Sequence, residues 1–275
     1  SVIATRMAMQ YADWAITEAG FGFDLGAEKF FDIKCRIASL DPDAVVLVTT
    51  VRALKMHGGK QKNALEAEDL SAVKLGLGNL DKHIESVMLF NKQPVVALNR
   101  VATDTVAEVA IIRDRCNELG VAFAETTHHA DGGKGALELA RAVIDSVPRN
   151  RPFKPLYEPD MPVSEKVRAV CKQMYGADDV AFTKEAARDL KLVEQLGLTH
   201  LPVCIAKAPS SLSDDPLLHG RPRDFSVTVR AIQINAGAGF LVILTGDILR
   251  MPGLPKQPAA NKMRLLKNGV IEGLE

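Results

Sequence analysis

The segment VTTVRALKMHGG, residues 48–59, places three basic side chains directly after a run of apolar residues. Arg52, Lys55 and His57 follow a segment typical of a buried strand and precede two glycines. Ligands of parallel α/β sheets bind at the carboxyl ends of strands, where Arg and Lys can bind carboxylates and phosphates. The grouping therefore predicts a site for an anionic or phosphorylated ligand. A solvated surface is the alternative interpretation of the same charges.

A second candidate segment is TEAGFGFDLGAEKF, residues 17–30, which combines glycines with several charges. Its charged residues are Glu18, Asp24, Glu28 and Lys29. Glycines at 20, 22 and 26 allow the backbone to approach a ligand closely, and clustered charges are costly unless they bind something or pair. The segment predicts a functional, anion-binding turn. The alternative is a tight strand-to-helix turn that needs its glycines only for geometry.

The segment LNRVATDT, residues 98–105, ends another apolar run. Asn99, Thr103 and Asp104 could contact a heterocycle or help to hold a cation. Thr103 or Asp104 could instead cap the helix that follows.

A glycine-rich loop, THHADGGKG at residues 127–135, superficially suggests a phosphate loop. A Walker A motif needs a glycine five residues before its Gly-Lys pair and a Ser or Thr after it, whereas this loop has His128 and Gly135 there. The pair Gly59-Lys60 fails the same test. We also expect no metal site at His128 and His129, because adjacent side chains of an extended segment diverge.

The elements that must position these residues follow from the hydrophobic pattern. Short apolar segments at 14–18, 44–51, 94–99 and 121–126 predict strands. Helical spacing over 66–90, 105–120 and 135–147 predicts the helices between and after them. Alternating strands and helices indicate an α/β fold with a mostly parallel sheet.

A stretch rich in proline and charge, residues 149–162, predicts a boundary between domain 1–150 and a smaller α+β domain, 151–275. In the second domain we expect a helix from Ser164, a helix capped by Thr183, and strands at 201–208, 225–235 and 240–244. Three prolines at 251–258 predict a rigid loop.

Composition restricts the partners. Thirty-four basic residues balance thirty-four acidic ones without a basic tract, which argues against nucleic acid and anionic membranes. No apolar run reaches the roughly 18 residues of a membrane span. Four cysteines without a metal-binding pattern favour free thiols in a cytoplasmic protein. Because the chain begins at Ser1 with an apolar pattern, we expect a fragment or a processed chain.

The motifs resemble those of the formate–tetrahydrofolate ligase family, also called 10-formyltetrahydrofolate synthetase. VTTVRALKMHGG is close to a family signature, with Thr49 where alanine is usual, and residues 17–36 are similar to another, with Phe23 in place of alanine. LPVCIAK, SLSDD, GRPRDF and MPGLPKQP resemble the family's carboxy-terminal region in order and spacing. The resemblance covers residues 1–275 and matches the carboxy-terminal half of the family's proteins.

This resemblance implies a sheet of the P-loop NTPase-like type, with the P-loop half absent from these residues. It implies an ATP-dependent ligase that joins formate to tetrahydrofolate through formyl phosphate, giving 10-formyltetrahydrofolate, ADP and phosphate. ATP with Mg²⁺, a possible monovalent cation and a homo-oligomer follow as expectations. The alternative from another class is a diverged, non-catalytic folate-binding or subunit-interaction module. A third is a stand-alone α/β protein with recycled motifs.

The resemblance also implies roles for individual residues. Catalytic roles are expected for Arg52, Lys55, His57, Glu18 and Asp24. Formyl phosphate would lie against Phe21, Gly22, Glu28 and Lys29. A pterin or adenine ring would contact Asn99, Val101, Thr103, Asp104 and His129. Val101 and His129 stand where the family usually has aromatic residues, and the loss of two stacking partners would weaken binding by about one to two orders of magnitude.

Overall fold

A three-stranded parallel sheet forms the centre of the amino-terminal part of the chain. A computed structural model describes residues 1–149, 151–246, 248 and 256–273. The strands β1 (Val45–Thr49), β2 (Pro94–Asn99) and β3 (Ala122–Thr126) lie in the order β1-β2-β3. The strands predicted at 44–51, 94–99 and 121–126 are therefore confirmed, as is the parallel α/β arrangement.

Helices cover this sheet. The first part of the chain contains α1 (Val2–Tyr11), α2 (Arg36–Ala38), α3 (Val51–His57), α4 (Leu70–Leu89), α5 (Val106–Glu118), α6 (His128–Asp131) and α7 (Leu137–Ser146). α4 and α5 contact each other and the sheet, whereas α7 contacts β2 and β3. The central β2 is fully buried at residues 95–98 because helices cover it. No helix in the described part of the chain has the length and apolar character needed to cross a membrane.

The strand predicted at 14–18 is wrong. Residues 13–20 form no helix or strand, and Ile16 is 94% exposed. The apolar residues of this segment are not buried, and the segment pairs with no strand. Its apolar pattern therefore did not indicate a strand. The turn at residues 17–30 therefore does not lie at the carboxyl end of a strand. It follows α1 and an irregular segment instead.

The same turn leads into two π-helical segments, Phe23–Ala27 and Phe30–Cys35, which continue into α2. Phe23 packs at 6.3 Å and 6.1 Å between ring centroids against Phe31 and Phe90. Phe31 and Phe90 are stacked at 4.6 Å. These aromatic contacts anchor the turn in the hydrophobic core.

The carboxy-terminal part contains a mixed four-stranded sheet in the order β4-β6-β7-β5. Its elements are α8 (Val163–Val170), β4 (Asp179–Phe182), α9 (Lys184–Gln195), β5 (Val203–Ala206), β6 (Ser226–Asn235) and β7 (Phe240–Thr245), followed by the small pair β8 (Arg264–Leu265) and β9 (Ile271–Glu272). The strands predicted at 201–208, 225–235 and 240–244 are confirmed, and Thr183 caps α9 by accepting from the Ala186 N–H at 3.2 Å. β4 was not predicted. Residues 251–255 of the predicted proline loop lie outside the described residues.

Both parts contribute to one hydrophobic cluster, which runs from Phe23 to Ile243. The division into domains 1–150 and 151–275 stays a prediction.

The helix that carries Arg52, Lys55 and His57 lies directly against α4. A Cβ at Gly76 of α4 would overlap the carbonyl oxygen of Leu54, and one at Gly58 would overlap the carbonyl oxygen of Ala72. Thr50 begins α3 by accepting from the Ala53 N–H at 3.0 Å. The close backbone approach of two helices therefore fixes the position of these three side chains.

We expect Gly76→Ala to lower the free energy of unfolding by about 1–3 kcal/mol, because the added methyl group forces α3 away from α4. Gly78→Ala is the matched control in the same helix, since its Cβ would meet only Arg221 Cβ at 3.5 Å. The control is expected to be neutral, or stabilising by up to about 1 kcal/mol through helix propensity. Urea denaturation measures both, and equal stability of the two variants would contradict the close-contact interpretation.

Candidate active site

The turn at residues 20–24 has a strained backbone. Phe21 has φ 62°, in the left-handed region, and its side chain is 82% exposed. A non-glycine residue in that region costs about 1–2 kcal/mol. Strain of this kind persists only where the surroundings impose it, and it occurs preferentially at functional sites.

The glycines of this turn serve its own packing. A Cβ at Gly26 would overlap the carbonyl oxygen of Gly20, and a Cβ at Gly22 would overlap Oδ1 of Asp24. Gly22 O accepts from the N–H groups of Leu25 and Gly26 at 3.0 Å and 3.1 Å. The packing of the turn therefore requires glycine at 22 and 26, and the ligand contact expected at Gly22 stays a prediction.

Asp24 is held by a lysine from the other part of the chain. Its Oδ2 lies 2.7 Å from Nζ of Lys207, and both side chains are buried. Lys207 Nζ also donates to the carbonyl oxygens of Ala208, at 3.1 Å, and Ser211. Burial lowers the pKa of Lys207, which Asp24 partly opposes.

Two further polar groups, from Tyr175 and His83, lie in the same buried region. Lys207 Nζ sits 4.9 Å from the centroid of the Tyr175 ring, and the Tyr175 hydroxyl has no hydrogen-bond partner. Nδ1 of His83 is also unpartnered, and its ring approaches the Cβ position of Gly22 at 3.5 Å. Burial lowers the pKa of His83 and raises that of Tyr175, so both are neutral.

Glu28 and Lys29 form an ion pair at 3.0 Å, and Glu28 is fully buried. Lys29 Nζ also donates to the carbonyl oxygen of Leu25 at 3.2 Å. Asp32 is buried one helical turn beyond Glu28, and Glu28 Oε1 and Asp32 Oδ2 have no partner outside this pair. Burial raises the pKa of Glu28, and burial with the nearby Glu28 raises that of Asp32 to about 8. The two carboxyls therefore hold a proton at neutral pH. Glu18 is exposed.

Arg52 lies in the first turn of α3, next to the carboxyl end of β1. Its Nη2 lies 3.1 Å from Oε1 of Glu66, and both side chains are substantially exposed. Exposed pairs contribute about 0–1 kcal/mol. Arg52 can therefore exchange Glu66 for an anionic ligand at little cost.

Lys55 has a different environment, because its ammonium group is buried and fully engaged. Nζ lies 2.6 Å from Oε1 of Glu108 and donates to the carbonyl oxygens of Leu65, at 3.0 Å, and Ala67, at 2.9 Å. Glu108 in turn forms the capping box of α5 with Thr105. In this geometry Lys55 joins α3 to α5, and its catalytic role stays a prediction.

His57 ends α3 beside the second part of the chain. Its Nδ1 accepts from the Gly220 N–H at 3.2 Å, and its ring lies 6.3 Å from that of His219. Burial, with His83 and His219 nearby, lowers the pKa of His57 to about 4. At neutral pH the ring is uncharged, so His57 can donate from Nε2 but cannot serve as a fixed cation.

The ends of β2 and β3 lie side by side, since Asn99 pairs with Thr126 in the parallel ladder. Oδ1 of Asn99 is buried without a partner, which leaves an acceptor at this edge. Asp104 Oδ2 accepts from the Val101 N–H at 2.9 Å and so closes the turn. Val101 and Thr103 are exposed on it. Thr105, and not the predicted Thr103 or Asp104, caps α5, because its hydroxyl completes the capping box with Glu108.

His129 lies in α6, directly after β3, and is exposed. The preceding His128 is hydrogen-bonded through Nδ1 to the hydroxyl of Thr126. An exposed imidazole at a strand end offers a flat face to a ring, although a smaller one than tryptophan.

The structure thus brings most of the predicted residues into two groups, whereas the contacts of Glu18, Arg52 and Lys55 place them in neither. One surrounds the turn and the end of α3: Phe21, Gly22, Asp24, Glu28, Lys29 and His57. The other lies at the ends of β2 and β3: Asn99, Val101, Thr103, Asp104 and His129. Sequence reasoning missed Asp32, His83, Tyr175 and Lys207. For Lys207 a signal existed, because LPVCIAK places a lysine directly after a predicted strand.

The family model described as formate–tetrahydrofolate ligase matches residues 1–275. The chain belongs to the formate–tetrahydrofolate ligase family.

Membership implies a ligase of one-carbon metabolism with formate and tetrahydrofolate as substrates. It confirms the family resemblance found in the sequence, and it does not favour the non-catalytic module. The structure also accounts for Phe23, where family members usually have alanine, since its ring fills the core beside Phe31 and Phe90.

The shared proton beneath the turn predicts a pH effect. Between the ordinary pKa of 3.8 and the folded value of about 8, the folded protein holds a proton at Asp32 that the unfolded chain has released. The contribution of Asp32 to stability therefore falls as pH rises through this window. Asp32→Asn should stabilise the protein progressively from about pH 4 to about pH 8, since an amide can donate to Glu28 while its oxygen still accepts from Leu156 N–H.

Urea denaturation across this pH range measures the effect. The matched control is Asp145→Asn, at an exposed carboxylate on α7. A stability difference between Asp32→Asn and the wild type that stays constant with pH would contradict the shared proton.

Proposed function

We propose that these residues form one wall of an ATP-dependent ligase that joins formate to tetrahydrofolate through formyl phosphate, releasing ADP and phosphate. The observation that carries the proposal is the family match over residues 1–275. The nucleotide phosphates would bind a P-loop supplied by sequence outside these residues, since neither Gly-Lys pair here belongs to a Walker A motif. A homo-oligomer is part of the same proposal.

In this proposal the chain contributes two parts of an anion site: the strained turn, which lies beside His57 at the end of α3, and Arg52 at the start of α3. Arg52 supplies positive charge, and backbone N–H groups at Phe21 and Gly22 supply donors that need no charge. Asp24, Glu28 and Lys29 shape the turn from below, because their charges are already paired. His57, neutral and close to the turn, is suited to donate a hydrogen bond or carry a proton.

The pterin or adenine ring would lie at the ends of β2 and β3. Asn99 offers a buried acceptor, Val101 and Thr103 offer surface, and His129 offers a ring face. No group of three His, Cys, Asp or Glu side chains among the described residues is arranged to hold a metal ion. Mg²⁺ would therefore come with ATP, held by groups beyond these residues, and neutralise phosphate charge there.

The direct test joins the chain to the amino-terminal half of a formate–tetrahydrofolate ligase and measures formate-dependent ADP release. We expect turnover that requires both formate and tetrahydrofolate. Arg52→Ala should lower kcat/KM by about a hundredfold or more, since the charge on the transferred phosphoryl group loses its partner. Arg141→Ala, at an exposed arginine of α7, is the control.

Absence of turnover in the joined protein would refute the proposal. Calorimetry with the unjoined chain separates the alternative, because tight binding of tetrahydrofolate without any turnover in the joined protein would indicate a folate-binding module.

The proposed ring site predicts a gain of affinity. Restoring aromatic side chains with Val101→Phe and His129→Trp should tighten tetrahydrofolate binding by about one to two orders of magnitude. Val106→Phe is the control, since Val106 is exposed at the start of α5. Calorimetric titration of the joined protein measures all three. If Val106→Phe tightens binding as much, or the double variant does not, the ring lies elsewhere.

A further inference from the structure

Lys207 is a buried cation that the family signature around α3 does not include. It follows β5, is 3% exposed, and directs Nζ at three oxygens: Asp24 Oδ2 and the carbonyls of Ala208 and Ser211. An ammonium group has three N–H donors. All three are therefore used within the protein, and Lys207 has no donor left for a ligand.

Of these three oxygens, the two carbonyls belong to the loop that Lys207 itself begins. Only Asp24 belongs to the other part of the chain. The ion pair between Lys207 and Asp24 therefore connects the second sheet to the strained turn.

Asp24 connects Lys207 to Gly22, on the side of the turn where the ligand is proposed to bind. Its Oδ1 lies directly beneath Gly22, where a Cβ would overlap it. Gly22 in turn accepts from the N–H groups of Leu25 and Gly26. The exposed side chain of Phe21 cannot hold its own backbone at φ 62°. The conformation must be imposed from the buried side, where Asp24 lies beside the core residue Phe23.

We propose that Lys207 is a positioning residue for the anion site: by holding Asp24, it fixes Phe21 and Gly22 in the conformation that presents their N–H groups. The inference deepens the proposed function and depends on it for the identity of the ligand. The mechanical part, in which Lys207 orders the turn, stands on the contacts alone.

Amide hydrogen exchange tests the mechanical part in the unjoined chain. Lys207→Met should raise the exchange rates of Leu25 and Gly26 by at least about tenfold, because removing one partner leaves a buried charge that the turn must move to relieve. Asp24→Asn should do the same. The double variant should exchange no faster than either single variant, since both act through one contact.

Lys166→Met is the matched control. Lys166 is equally buried in the second part of the chain, but it donates to the carbonyl oxygens of Pro159, Thr199 and Leu201 and not to the turn. It should lower thermal stability without selective change at Leu25 and Gly26. The proposal is overturned if Lys207→Met leaves these two amides as in the wild type, or if Lys166→Met accelerates them equally. If Lys207→Met does not fold, Asp24→Asn replaces it, and unchanged exchange of the Leu25 and Gly26 amides in that variant overturns the proposal.

The joined protein tests the catalytic part. Lys207→Met should lower kcat/KM for formate by about tenfold or more, and Lys207→Arg should recover part of that loss because it keeps the charge. Unchanged kcat/KM in a folded Lys207→Met variant would overturn the catalytic part. A wild-type joined protein without turnover refutes the proposed function, whereas the exchange experiment still decides whether Lys207 orders the turn.

Discussion

Asp24 and Lys207 meet at 2.7 Å in the interior, although they belong to different parts of the chain. Two charges removed from water are stable only if their mutual attraction and further hydrogen bonds offset the desolvation. Here the two carbonyls on Lys207 supply those bonds. Because the pair joins the second sheet to the turn, the turn at Phe21 keeps its shape only while both parts of the chain are folded together. The ion pair thus connects the family-like motifs of the two parts.

Five lysines among the described residues share one physical arrangement. Each is buried and directs its ammonium group at one or more backbone carbonyls: Lys55, Lys82, Lys92, Lys166 and Lys207. A carboxylate is added for Lys55, Lys92 and Lys207. A buried ammonium that is saturated in this way joins elements that are distant in the sequence: α3 to α5 through Lys55, and the second sheet to the turn through Lys207. A lysine inside a signature motif is therefore not catalytic by virtue of its position. All three donors of Lys55 are used within the protein, and its catalytic role stays a prediction.

The sequence predicted elements whose side chains repeat with a clear period. α4 and the strands β1 to β3 have such patterns, and all were found within a few residues of the predicted bounds. The strand expected at 14–18 failed because its apolar residues face solvent, which no local pattern reveals. α3 was missed because its few residues follow β1 without a break. The rule that ligands bind at the carboxyl ends of strands correctly placed Arg52, Asn99 and His129 near strand ends. It could not show that Lys55 pairs with Glu108 or that Asp24 pairs with Lys207. Such pairings depend on packing between segments that are distant in the sequence, and they cannot be predicted from a single sequence.

The charges of the candidate site decide how it can recognise an anion. Lys29 is paired with Glu28, Lys55 with Glu108 and Lys207 with Asp24, while His57 is neutral at neutral pH. Among the predicted residues, Arg52 alone retains a cation whose partner is exposed and readily displaced. One guanidinium group does not neutralise a phosphorylated substrate, so in the proposed site backbone N–H groups would contribute beside the Mg²⁺ that comes with ATP. The strength of a hydrogen bond from an N–H group depends on its direction far more than the attraction of a diffuse charge does. The strain at Phe21 and the ion pair that maintains it therefore matter more to recognition than the number of basic residues in the motif.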